Sequence, residues 1–568
     1  MNIPSDNNKL QNLSAVLERF KPVAGEPARG YPDLHDHIMA LARDNLLVVV
    51  DEPIDKDSEM HPLVRWQFRG GIPEDQRKAF LFTQPTDAKG KKYDAAVLVA
   101  GLAASRQVYR TGIGMPLEKI GQAWIDAMAK PVPPKIVETA PCQDIVIMGD
   151  ELDKPGNGLD GLPVPVSTPG WDNGPYLSAG HFVTKDPDTG IQNLGNYRGQ
   201  IKGPRRLGMN PSVEQRPGIY IHWEKCKARG ESLPAAVIVG CPPAVSYTAV
   251  QKCPEHLDEL AVAGALAGAP MNVVKAKTVD LYVPAEAEIV IEGYIRTDML
   301  EPEAPFGESH GYVNLQEYNA FMEVTAITRR RQPVLTSFIS QVTPSESSCI
   351  RRVALEPLMF NHLHNVMGVR GVSRVSMHEP LTSVVALYII QFKRNTPETE
   401  IWRALYGASS FLRYGGKYVI AVDEDIDPEN SDALFWAMCY RAQAQYDLKI
   451  LDKKDPGHGP RAPRDNGESA SVLINATLKG DYPPVALPKR EYMEKARKIW
   501  ERLDLPQLTP QSPWFGYDLG GWNDDLDAMA SLAVKGDAHL TGMKIAQMRR
   551  SDVEMNAALS DVDPLEDK

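Results

Sequence analysis

The sequence predicts an α+β multidomain protein, and three observations carry that prediction. Its 568 residues exceed a single-domain chain several-fold, so two to four domains are expected. The hydrophobic pattern changes near residue 136, from helices mixed with buried strands to a run of short, evenly spaced strands. It changes again near 345, where a long amphipathic segment opens a second α/β stretch.

Residues 1–135 read as an N-terminal α/β layer, because Leu46–Val50 and Ala95–Ala100 are apolar runs of strand length that leave into turn residues. From 136 to 345, β-rich runs alternate with Gly, Pro and Asn turns at Ile145–Met148, Ala236–Val239, Glu286–Tyr294, Phe321–Ile327 and Val334–Phe338. That spacing favours a β-barrel or sandwich over βαβ units, with Pro217–Ala228 and Pro254–Leu266 set into it as helices. Residues 349–367 form the amphipathic helix, which Pro357 is expected to kink. Strands at Val384–Phe392 and Tyr418–Val422 and a helix at Asp432–Gln443 then build a C-terminal α/β unit that closes near 480. Beyond it, Pro488 is expected at the first position of a helix with Met493, Ala496, Ile499, Trp500 and Leu503 on one face, followed by a loop-rich tail.

Hydrophobic residues make up 43% and charged residues 24%, which excludes a disordered chain, a collagen or a disulfide mini-protein. The net charge of −12, with no basic tail, argues against nucleic acid and anionic membrane as partners. Cys142, Cys226, Cys241, Cys253, Cys349 and Cys439 show no CxxC and read as reduced thiols. The polar N-terminus lacks signal-peptide order, and no apolar run reaches membrane-spanning length, so a cytoplasmic protein is expected.

Four segments are candidates for chemistry. Asn193-Leu-Gly-Asn-Tyr-Arg198 follows the turn sequence Asp186-Pro-Asp-Thr-Gly190 and precedes Lys202, Arg205 and Arg206. Its amide and guanidinium suit a metal beside a carboxylate, and equally a structural Asn turn beside a solvated arginine. His222, before Trp223 and Glu224, is either a ligand or a satisfied structural histidine. Asp258 and Glu259 open an apolar helix, where a carboxylate is also favourable without any function. Finally, Glu301, Glu303, Glu308 and His310 are crowded into turns forced by Pro302, Pro305 and Gly307. Burying more than one of those carboxylates would yield a proton donor beside an ionised partner; a solvated loop is the alternative.

In this order and at these separations, the segments resemble the UbiD family of reversible decarboxylases, which depend on prenylated flavin mononucleotide (prenylated FMN). The likeness runs from about Leu162 to Gly480 and rests on NLGNYRGQ (193–200), PAAVIVGCPPA (234–244), VPAEAEIVIEGYI (283–295) and APFGESHGY (304–312). INATLKGDYPPVALPKR (474–490) and QSPWFGY (511–517) look like its larger members. The resemblance implies an N-terminal α/β domain (1–135), a split β-barrel that binds the flavin (136–345) and a linking helix (346–370). A C-terminal α/β domain (371–480) and a helical tail for oligomerisation (481–568) complete the implied fold.

The resemblance also implies roles. Asn193, His222 and Glu259 would ligate a divalent ion, manganese before magnesium or iron, with potassium nearby. Asn193, Tyr197, Arg198 and His222 would bind the cofactor. Arg198, Glu303 and Glu308 would form the catalytic network, with Glu303 as proton donor. The lysine that relatives set against the flavin phosphate has no counterpart at Gly467–Ala470, where Arg461 and Arg464 are the nearby basic residues. The implied enzyme is a carboxy-lyase that removes or reversibly adds carbon dioxide at an aromatic or α,β-unsaturated acid, through a covalent prenylated-FMN adduct. Implied partners are the acid or its CoA thioester, a flavin prenyltransferase, and further copies in a dimer or hexamer. Arg351 and Arg352 open the linking helix and suit a second carboxylate, a phosphate or a thioester, with a surface basic pair as the alternative. Two competing readings are a flavin-binding oxidoreductase and a non-catalytic carboxylase subunit, and neither gives the Arg198, Glu303 and Glu308 set any work.

Overall fold

The computed structural model describes residues 14–20, 27–211, 213, 216–455, 468–509 and 520–547. It divides into two compact units: Met1–Glu424 with Leu434–Thr477, and Asp425–Ala433 with Leu478–Lys568.

In the first unit, the apolar runs near 46 and 95 become the strands Leu47–Asp55 and Ala96–Val99. Ala79–Thr86 lies between them, parallel to the first and antiparallel to the second. The fourth strand of this sheet, Val334–Ser337, pairs in parallel with Ala96–Val99 from far along the chain. The sequence reading groups residues 334–338 with the β-rich stretch instead. All four residues of the strand are buried, so no alternation marks which sheet it joins. Helix Leu34–Arg43 is entered through a capping box in which Asp33 and Asp36 each accept the other's backbone N–H.

The β-rich stretch folds into one ten-stranded sheet whose pairings are all antiparallel. Its path runs Tyr176–Leu177, Gly199–Gly203, Arg206–Met209, Glu317–Arg329, Ile289–Ile295, Leu233–Val239, Gly180–Lys185 and Gln192–Asn196. Glu301–Glu303 and Ile145–Met148 also pair with Glu317–Arg329. The two end strands of the path are not paired with each other, so the barrel is split and not closed. Leu233–Val239 shows why its residues are apolar on both faces. Ala235, Val237 and Val239 enter one hydrophobic core, whereas Ala236 and Ile238 enter another.

Three helices border the sheet. Gly218–Arg229 ends at Gly230 in the left-handed region, φ 70°. Pro243–Val250 is not foreseen in the sequence, because seven of its eight residues are buried and no polar face betrays the helical period. The third starts at Glu259 and not at Pro254, because Asp258 caps it by accepting the Leu260 N–H at 2.8 Å.

The linking helix spans Glu346–Asn361 and continues in one wider turn, His362–Val366, with Pro357 inside it. Cys349, Ile350 and Ala354 belong to the core that holds Trp124 and Tyr247, whereas Leu355, Met359 and Leu363 belong to the core of the C-terminal sheet. That sheet runs Val372–Met377, Leu387–Phe392, Tyr418–Asp423, Ser469–Ala476 and Leu448–Lys454.

The second unit contributes the helices Arg490–Arg502, Asp524–Val534 and Ala538–Ala546. The first buries none of its side chains, leaving Ile499, Trp500 and Leu503 exposed. Lys489 precedes it as the cap residue, so Pro488 stands outside the helix and not at its first position. Among the described residues, no helix is long and apolar enough to cross a membrane. Arg461, Arg464, Gly467 and the segment 511–517 lie outside the described residues.

Candidate active site

The hairpin Gly180–Lys185 and Gln192–Asn196 sets the first group. Its register puts Thr184 opposite Asn193. Asn193 Nδ2 donates to Glu259 Oε1 at 2.8 Å, and the Leu194 N–H donates to Glu259 Oε2 at 2.8 Å. Thr184 Oγ1 lies 2.9 Å from His222 Nδ1. Asn193, His222 and Glu259 together line a cavity of about 180 Å³. Helix Gly218–Arg229 begins against it: a Cβ on Gly218 would come within 2.6 Å of Asn193 Cγ.

These residues fit a hard divalent cation. Asn193 Oδ1 is buried with no hydrogen-bond partner among the described residues. Burial pushes the Glu259 carboxyl up to about 8, outweighing its hydrogen bonds to Leu194 and Asn193. Burial pushes His222 down to about 4, so its imidazole is neutral at physiological pH. An orphaned amide oxygen, a neutral imidazole and a buried carboxyl with no ion-pair partner among the described residues are donors that manganese or magnesium takes, the carboxyl giving up its proton to the cation. Among the described residues, no three His, Cys, Asp or Glu side chains converge on a metal site, so the set depends on the amide.

The second group lies on a larger cavity of about 480 Å³, which shares Asn196, Tyr197, Val250, Arg351 and Tyr414 with the smaller one. Arg198 Nε donates to Glu303 Oε1 at 2.8 Å and Nη2 to Glu303 Oε2 at 2.9 Å, while Nη1 donates to Glu308 Oε1. Glu303 Oε2 also accepts from Asn319 Nδ2 at 2.6 Å. The two carboxylates differ in access. Glu303 has 1% of its side chain exposed and does not line the cavity, whereas Glu308 has 17% exposed and does. The Phe306 ring packs on Tyr176 with centroids 4.4 Å apart, and Arg198 Cζ stands 5.5 Å from the Phe306 centroid.

The other candidates separate cleanly. Glu301 is taken up by Lys202 and Arg206, and Arg205 pairs with Asp153 at 3.2 Å, so this basic stretch lies off the cavity wall. His310 does line the larger cavity. Arg352 is buried and donates to Glu356 Oε1 at 2.8 Å. Arg351 lines both cavities and makes no hydrogen bond or ion pair among the described residues, so the two arginines are not a surface basic pair. Sequence reasoning misses Thr184 and Asn319. The hairpin register around the 186–190 turn would have placed Thr184. Asn319 is brought in by strand pairing, with Glu301 opposite Asn319 and Glu303 opposite Glu317.

An open antiparallel barrel, an adjoining α/β domain and an Arg–Glu–Glu cluster thus meet at two adjoining cavities, and comparison with known proteins gives the class of protein that carries them. The family model described as the 3-octaprenyl-4-hydroxybenzoate carboxy-lyase Rift-related domain matches residues 135–342, and the C-terminal domain of the same enzyme matches residues 349–466. The chain belongs to the UbiD family. An uncharacterised protein of Aquifex aeolicus is 29% identical over 519 residues, covering 84% of this chain and 99% of that one. The UbiD-class enzyme HmfF from Pelotomaculum thermopropionicum, solved with FMN, is 28% identical with a TM-score of 0.70, covering 82% of this chain and 100% of HmfF. Vanillic acid decarboxylase of Sedimentibacter hydroxybenzoicus in its closed form is 26% identical with a TM-score of 0.69, covering 84% of this chain and 100% of that one.

Proposed function

We propose that the protein is a prenylated-FMN-dependent decarboxylase acting reversibly on an aromatic or α,β-unsaturated carboxylic acid. The observation that carries this is Arg198 joining Glu303 and Glu308 at the wall of a cavity that adjoins a cation-type donor set. HmfF has been solved with prenylated FMN and with FMN, and vanillic acid decarboxylase acts on an aromatic acid; both support the cofactor and substrate class.

When bound, prenylated FMN supplies the electron sink for the carbon that loses carbon dioxide. Asn193, His222 and Glu259 would hold the divalent ion, which would supply positive charge at the smaller cavity. Arg351, which lines both cavities and has no hydrogen bond or ion pair among the described residues, is a group available to an anion of cofactor or substrate. An aromatic monoacid is the default substrate, and a diacid or acyl-CoA the variant. Association into a dimer or hexamer belongs to the same proposal.

Glu308, in place of Glu303, is the proton donor in this proposal. Glu303 is enclosed and held by the two-point Arg198 contact and by Asn319, so it fixes the guanidinium. Glu308 shares that guanidinium and faces the cavity, where its carboxyl gives a proton to the substrate carbon or removes one in the reverse direction. Glu308→Gln is expected to cut turnover by about 10³-fold while leaving flavin content unchanged. Near-wild-type turnover in that variant overturns the donor assignment. Mass spectrometry of the ligand released after co-expression with a flavin prenyltransferase should find prenylated FMN; plain FMN alone favours an oxidoreductase.

A further inference from the structure

We propose that Asp172 is a positioning residue for the Glu308 carboxyl, an inference that rests on the decarboxylase reading of the cavity. Glu308 directly follows Gly307, and the Gly307 N–H donates to Asp172 Oδ1 at 3.0 Å. The other carboxylate oxygen, Oδ2, accepts the Thr168 N–H at 2.7 Å. Asp172 thereby ties the turn at 168–172 to the loop that carries the proton donor, through one backbone hydrogen bond to each.

The fit at this junction is close. A Cβ on Gly307 would stand 2.5 Å from Thr168 Oγ1 and 2.9 Å from Gln341 Cγ, so only glycine lets the loop approach the turn this far. Other contacts hold the loop on either side. The Ala304 N–H donates to Gln200 Oε1 at 3.1 Å, Tyr176 Oη donates to the Ala304 carbonyl at 2.7 Å, and the Glu308 N–H donates to the Tyr312 carbonyl at 3.0 Å. Arg198 fixes the carboxylate end of Glu308, and Asp172 fixes the backbone beside its Cα. Both ends of the donor are set relative to the cavity.

A carboxylate is the residue type this task requires. It offers two acceptor oxygens and no donor, so it satisfies both N–H groups; an asparagine would satisfy one and turn an NH₂ toward the other. Asp172 has no cationic partner among the described residues, and burial raises its pKa.

The test uses Asp172→Ala and Asp172→Asn in the flavin-loaded, full-length protein. Asp172→Ala is expected to lower kcat about 10²-fold and Asp172→Asn about 10-fold, as expected for a misplaced reacting group, with KM and flavin content unchanged. Amide hydrogen exchange should accelerate in the peptide spanning 304–312. Adding Asp172→Ala to Glu308→Gln should cause no further loss, because the positioned group is already gone. A purely structural role would lower flavin content and add its loss to that of Glu308→Gln, which overturns the proposal; so does unchanged kcat or unchanged exchange. If Asp172→Ala fails to fold, Asp172→Asn carries the same readouts. If the wild-type protein turns over no aromatic acid, the decarboxylase reading fails, and the exchange measurement still decides whether Asp172 holds the loop.

Discussion

Glu346, in the first turn of the linking helix, is fully buried and accepts the Leu102 N–H at 2.8 Å and the Ile339 N–H at 3.2 Å. Burial pushes its carboxyl up from 4.5 to about 7, against the opposing pull of those backbone hydrogen bonds. Because the folded value lies above the unfolded one, its contribution to stability is fully present below about 4.5 and is lost as pH rises through about 7. The stability difference between wild type and Glu346→Gln should therefore shrink by about 3 kcal/mol from pH 4.5 to 8, measured by denaturant melts at each pH. Gly218 makes a second prediction. A Cβ there would stand within 2.6 Å of the Asn193 side chain. Gly218→Ala should weaken manganese binding about 10- to 100-fold, read by titration of the metal-free protein, and unchanged affinity would remove Asn193 from the ligand set. At this scale, candidate residues that sit in one short segment are legible in the sequence, as Asn193 and Arg198 are. Asn319 is not, since only the pairing of Glu301–Glu303 with the strand Glu317–Arg329 brings it to Glu303.

Elements with one wet face and one dry face are legible for a physical reason: their period is written in alternating polarity. Residues 349–367 carry such an alternation in their sequence, and the linking helix stands there with a start only a few residues earlier. Helix Pro243–Val250 hides because it is buried all round, and the Glu259 helix begins late because Asp258 supplies its cap. The linking helix also packs on helix Leu117–Ala129, where a Cβ on Gly121 would meet Pro357 Cβ at 2.9 Å. Helix propensity alone favours Gly121→Ala by about 1 kcal/mol. The rigid proline ring cannot move aside, so we expect that substitution to destabilise the protein, with a thermal midpoint a few degrees lower. A raised midpoint would mean that the two helices separate easily.

For the whole molecule, composition indicated a folded chain and the hydrophobic pattern its several α/β and β parts, and the split barrel and C-terminal sheet have the expected character. Pattern could not assign a strand to one sheet over another when every residue in it is buried. The helix Arg490–Arg502 displays Ile499, Trp500 and Leu503 to solvent within this chain. If that stripe is the self-association surface of a homo-oligomer, Trp500→Glu with Leu503→Glu should shift the mass measured by light scattering to a smaller species while preserving the circular dichroism spectrum. An unchanged mass would place the contact elsewhere. The N-terminal sheet has a consequence for how the protein is made. Its strand Ala96–Val99 waits for Val334–Ser337 as a neighbour. During synthesis the ribosome must deliver more than half of the polypeptide before that edge can be covered. Until then the nascent chain presents one open edge of a wholly apolar strand, the kind of surface that chaperones shield and aggregation exploits. Slow translation between these two segments should therefore lower the soluble yield more than the same delay placed after residue 337.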